Sequence, residues 1–174
     1  MKSSLMTKLV GFVAALSLAS VAFAGGLAVS RQINSDLVSQ RLSTIHDDAY
    51  EVREGADHLR FYNHAAYLSG WEIDRYNLEN MRDDINQMGE TLYRLRSEEG
   101  VLPRNEDREI NRIAPPMMEL TDTTQAAIVF LNSHHDALWM PQYRAYLSEM
   151  YTEANRIERF TRKAGAGITS NFTT

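Results

Sequence analysis

The chain has 174 residues, with 18 Lys and Arg against 23 Asp and Glu, a formal net charge of −5 and no cysteine. This length suits one domain with its own core, and the acidic balance argues against nucleic acid or an anionic membrane as partner. The lack of cysteine excludes a disulfide framework, a lipid-bearing cysteine and covalently attached haem.

The first segment reads as an export signal. Lys2 and Lys8 precede an uncharged run from Leu9 that closes on Ala22-Phe23-Ala24, with small residues three and one positions before the expected cut. Cleavage after Ala24 leaves 150 residues, and loss of the two lysines leaves 16 basic against 23 acidic side chains, a net charge of −7. The competing reading is an uncleaved anchor over residues 9–29, because Leu9 to Val29 reaches the roughly 20 residues a spanning helix needs. Its Ala, Ser and Gly content favours cleavage. Either way the body is expected outside the cytoplasm, periplasmic or secreted. Residues 25–33 read as a linker.

Four helices follow, expected over about 34–66, 70–99, 103–138 and 141–165. The first repeats apolar residues at alternating steps of four and three: Val38, Leu42, Ile45, Ala49, Val52, Ala56, Leu59. Ser69-Gly70-Trp71-Glu72 fits a capping box, with Leu68 and Ile73 as its staple. It opens a second seam of Trp71, Leu78, Met81, Ile85, Met88, Leu92 and Leu95, in which the Asp74 position alone is polar. Gly55 and Gly89 lie mid-helix, where close helix approach is the expected reason for them. Gly100 is placed to end the second helix and Pro103 to open the third.

The third seam runs Ile110, Ile113, Met117, Leu120, Thr124, Ala127, Leu131, His134, Leu138, and Pro115-Pro116 within it predicts a kink or a restart. Thr123, Thr124 and Gln125 read as structural, a helical threonine usually satisfying its hydroxyl on the preceding turn. Pro141 suits the first turn of the fourth helix, whose seam is Tyr143, Leu147, Met150, Ala154, Ile157. Glu149, Glu153, Arg156, Glu158, Arg159, Arg162 and Lys163 read as an exposed face with Glu158 paired to Arg162. Beyond Gly165-Ala166-Gly167, residues 166–174 read as a disordered tail. No stretch alternates with period two, and the short connections predict an all-α, antiparallel up-down-up-down four-helix bundle.

The runs Met88-Gly89-Glu90-Thr91-Leu92, Arg112-Ile113-Ala114-Pro115, Ala126-Ala127-Ile128 and Leu131-Asn132 resemble uncharacterised exported all-helical proteins of environmental bacteria, over most of the mature chain. The resemblance implies an exported helical domain and supplies no activity. Leu120 to Gln125 is also similar to the Leu-Thr-x-x-Gln motif of periplasmic stress chaperones, with one residue too many and no second copy.

Signatures of bundle cofactors are missing from the sequence. No His lies three residues after a Glu, as di-iron bundles require, and no His lies beyond His135 to serve a Met/His haem. There is no His-Glu-x-x-His, no Gly-x-Ser-x-Gly and no Walker loop. In an up-down-up-down bundle, however, the first and third connections share one end. That end would collect His58, Phe61, Tyr62, His64, Tyr67 and Trp71 with His134, His135, Asp136, Trp139, Tyr143 and Tyr146. His134, at a seam position, is expected to point inward. With His58 or His64 it forms the candidate metal or haem set, while Tyr62, Tyr67, Trp71, His135, Trp139 and Tyr143 form the candidate ligand end.

The leading expectation is thus a non-enzymatic exported bundle that binds or scaffolds an unidentified protein or small molecule. The alternatives are a metal- or haem-binding bundle and a periplasmic holdase. The second of these is suggested by export, helicity and eight methionines, although Met81, Met88, Met117 and Met150 lie on seams and belong to the core rather than to a client surface.

Overall fold

The side chains that recur every three and four positions are those the computed structural model removes from water. It describes residues 36–62, 70–97, 104–135 and 138–170, with the backbone alone at 104–106 and 167–170. The signal segment, the linker, His64, Tyr67, Leu68, Ser69, Gly100, Pro103 and Asp136 lie outside them. Among the described residues the regular structure is entirely helical: α1 over 36–62, α2 over Trp71–Ser97, α3 over Arg104–Asn111, α4 over Ala114–Ser133 and α5 over Pro141–Ser170. Since α3 and α4 are parted only by a turn at Arg112 and Ile113, these make four helical stretches. No helix among the described residues is long and apolar enough to cross a membrane.

From Val38 onward the chain packs as one unit. All seven α1 seam residues from Val38 to Leu59 are buried, with Leu78, Met81, Ile85, Met88, Leu92 and Leu95 of α2 and Tyr143, Leu147, Met150, Ala154 and Ile157 of α5. Ile110, Ile113, Met117, Leu120, Ala127, Phe130 and Leu131 join them from α3 and α4. Full burial of each large aliphatic side chain contributes about 1.5–3 kcal/mol. Helices this long are held by such packing more than by intrinsic propensity. α5 packs on both α3 and α4, and α4 also packs on α2.

The helix boundaries have local causes. Gly70 opens α2, its carbonyl accepting from the amides of Ile73 at 2.9 Å and Asp74 at 3.1 Å, and Glu72 and Asp74 place carboxylates in the positive first turn. Pro115 and Pro116 fall in the first turn of α4, where an amide proton would have had no helical acceptor. The helix therefore restarts at Ala114 without breaking the core. Thr124 donates to the Leu120 carbonyl at 2.7 Å, one turn back.

Five expectations about helix ends, charged faces and glycines are corrected. α4 ends at Ser133, five residues short of Leu138, and α5 continues through the Gly165-Ala166-Gly167 segment to Ser170. The charged series on α5 is not uniformly exposed, since Glu153 is buried. Arg156 reaches it at 2.6 Å while also holding Glu119 of α4 at 3.1 Å. Burial raises the Glu153 carboxyl above its usual range; Arg156 pulls it back down, while Glu119 nearby adds to the rise. Glu158 pairs with Arg53 of α1 instead of Arg162. Finally, only one of the two mid-helix glycines marks a close approach. A Cβ on Gly55 would meet the Met81 sulfur at 3.0 Å, whereas one on Gly89 would meet nothing within 4 Å.

Candidate functional site

The end of the molecule formed by the last turn of α1, the start of α2 and the turn between α4 and α5 carries most of the sequence-derived candidates. Trp71 and His135 are stacked face to face, ring centroids 4.4 Å apart and 15° between planes. This contact joins the start of α2 to the turn after α4. A second cluster sits beside it on α4 and α5, where Phe130 lies 4.3 Å from His134, 6.0 Å from Tyr143 and 6.2 Å from Tyr146. Such offset and edge-on ring contacts hold the surface in shape beyond simple burial.

His134 does not point inward. The helix has stopped one residue earlier, and at φ −139°, ψ 53° the chain has turned off the helical path, so the seam register no longer applies. The imidazole is exposed. It lies flat on Phe130, and its Nδ1 proton is donated to the Phe130 carbonyl at 3.0 Å. This fixes the tautomer and leaves Nε2 as the acceptor nitrogen.

His58 is also exposed and packs at 4.3 Å on Tyr62, which meets the edge of Phe61 at 5.6 Å. These residues line a groove of about 520 Å³ between α1 and α2, with Glu54, Gly55, Asp57 and Asn77. Thus His58 belongs to the α1–α2 groove and His134 to the Phe130 cluster. Among the described residues no three His, Asp or Glu side chains are grouped to hold a metal ion.

Asp74, the one polar residue of the α2 seam, is 1% exposed and lies against the Tyr143 hydroxyl of α5. That hydroxyl is closed off from water and approaches the carboxylate without meeting hydrogen-bond geometry. Burial, and then the Asp74 charge, push its ionisation far above the ordinary tyrosine range. A tyrosine held this firmly in its protonated form supplies a fixed dipole, not a base.

Other polar clusters were not legible as sites in the sequence. On α1 and α5, the His46 Nδ1 proton is shared between the Glu158 carbonyl and the Thr161 hydroxyl oxygen, each at 3.2 Å. The Arg53 and Arg60 guanidinium groups lie 5.9 and 5.2 Å from the Tyr151 ring. On α1 and α2, burial raises Asp48 to about 6, helped by Asp84 and Asp47 and opposed by a hydrogen bond from Gln87 at 3.5 Å. Asp84 is raised as well, by burial and by Glu51 and Asp83. The neighbouring acidic pairs Asp47-Asp48 and Asp83-Asp84 were visible, but nothing in the chain showed that two helices bring them together.

Fold and site define an all-helical, four-stretch protein with an aromatic end and a buried Asp–Tyr contact behind it. Comparison of the chain with protein-family models, with curated proteins and with solved structures finds no match.

Proposed function

We propose that the protein is an exported, non-enzymatic, up-down-up-down helical bundle that binds or scaffolds a partner through its aromatic end. The observation that carries this reading is where the exposed apolar side chains stand. Phe61, 71% exposed, stands on the last turn of α1, while Trp139, 60% exposed, and Ile73 and Tyr76 lie on the segments that the Trp71–His135 stack ties together. Four of the nine large apolar side chains exposed among the described residues thus stand near this end, next to rings held by stacking, a grouping that suits a binding surface.

The alternating arrangement is supported by the order of the cross-helix contacts. Along α1, His46 meets Thr161, Arg53 meets Glu158 and Arg60 meets Tyr151, so the partner positions on α5 fall as α1 rises. Asp48 with Gln87, and Gly55 with Met81, repeat this between α1 and α2. Glu119 with Arg156, and Phe130 with Tyr143, repeat it between α4 and α5. Export rests on residues 1–24, and N-terminal sequencing of the exported protein should start at Gly25.

Titration with an apolar fluorescent dye tests the binding surface. The expected result is saturable binding that F61A and W139A each weaken about tenfold, with the helical circular dichroism unchanged. Dye binding unaffected by both variants overturns the surface. Turnover in a broad hydrolase and oxidoreductase screen, lost on a single substitution, overturns the non-enzymatic reading. A metal or haem that survives purification and is lost on changing His134 with His58 or His64 replaces it with a cofactor-binding bundle.

A further inference from the structure

We propose that the groove between the end of α1 and the start of α5 binds a small oxyanion, a phosphate or a carboxylate, between Arg60 and Arg144. The groove measures about 280 Å³ and is lined by Arg60, Pro141, Arg144, Ala145 and Ser148. It is therefore just smaller than the roughly 300–1,000 Å³ typical of sites for larger organic ligands. This inference rests on the binding reading above but uses different residues.

Arg144 provides the first argument. Its Nε is buried and has no hydrogen-bond partner, and no ion pair to its guanidinium is found among the described residues. A buried N–H that has lost water and gained no acceptor is an uncompensated desolvation, the kind of exception that calls for a missing partner. A guanidinium only donates, so the missing partner is an acceptor, and its planar fork matches two oxygens of a carboxylate or phosphate.

Local charge provides the second. Arg144 stands at the fourth position of α5, where the helix dipole is positive, and the first turn carries no acidic residue. α2, by contrast, has Glu72 and Asp74 in its first turn. Arg60 adds another cation across the groove. Its one carboxylate partner among the described residues, Asp57, is largely exposed and lies 3.4 Å away, a pair too loose to neutralise it. The Tyr151 ring at 5.2 Å meanwhile fixes where that guanidinium sits. Ser148, one turn beyond Arg144, can add a hydroxyl donor. Two cations and a helix N-terminus converging in an otherwise acidic chain make an unfavourable grouping by themselves, and an oxyanion completes it.

The full chain, labelled with nitrogen-15, is titrated with inorganic phosphate and separately with acetate, at constant ionic strength made up with chloride. The expected result is saturable displacement of the Arg144 Nε–Hε and Ser148 amide signals by at least one of the two anions. R60Q and R144Q should each weaken it about tenfold, and R162Q should leave it unchanged. Displacement that stays linear with both anions, or that survives R60Q, overturns the proposal. Should R144Q fail to give the helical circular dichroism of the parent, R60Q, at a side chain that lies partly in water, decides alone.

Vesicles of phosphatidylcholine containing phosphatidylglycerol separate the sources. Co-sedimentation lost in R60Q identifies a lipid headgroup, and its absence beside saturable phosphate or acetate binding identifies a free anion. Dye binding in the same R60Q sample, still sensitive to F61A, tells failure here from failure of the aromatic surface.

Discussion

The Tyr143 hydroxyl and the Asp48 carboxyl respond to burial in ways that can be measured one residue at a time. In an alkaline absorbance titration, one of the eight tyrosines should stay protonated until the chain unfolds, and Y143F should remove that resistant fraction. Because the hydroxyl approaches Asp74 outside hydrogen-bond geometry, Y143F is expected to change stability by less than about 1 kcal/mol. Asp48 acts through protons. Its folded value near 6 stands above the unfolded 3.8, so between these the folded chain binds more protons than the unfolded one. Stability contributed by the protonated form is complete below pH 3.8 and is lost as pH rises through 6. Asp84 shifts in the same direction. Urea unfolding should thus show D48N more stable than the parent at pH 7, by less than about 1 kcal/mol for so exposed a group, and its stability should change less between pH 4.5 and 7.

At the scale of helices, Gly89 and Gly55 look alike in the sequence and differ in the fold. A Cβ at Gly89 meets nothing within 4 Å, so G89A should gain about 1 kcal/mol of helix propensity. At Gly55 the added carbon would press on the Met81 sulfur at 3.0 Å inside the core, so G55A should gain nothing or lose stability. Thermal unfolding of the two variants checks the contrast. The same division marks what the sequence discloses. Seam positions such as Val38 to Leu59 were legible because helical period alone selects the buried face. The end of α4 was not: Ser133-His134-His135 holds no glycine or proline, and so His134 was carried on as a seam residue. Nor was the Arg53–Glu158 pair, because spacing within α5 offers Arg162 to Glu158 while α1, more than a hundred residues away, provides the actual partner. The aromatic end was legible as a juxtaposition, whereas the half-buried Arg144 carried no pattern at all.

For the molecule as a whole, α5 is the element that α1, α3 and α4 share as a partner. α3 and α4 pack on it, and α1 is tied to it through His46 and Arg53. A chain ending at Met140 should therefore show helical signal at most, and no cooperative unfolding transition in urea, while the full chain unfolds cooperatively. That dependence also sets a schedule for biogenesis. α5 follows α1, α3 and α4 in the chain, so the segment they pack on leaves the ribosome after them, and at the usual pace of translation its 30 residues take about 1.5–6 s to appear. Until then the apolar seams of α1, α3 and α4 lack a complete partner and stay open to nascent-chain chaperones.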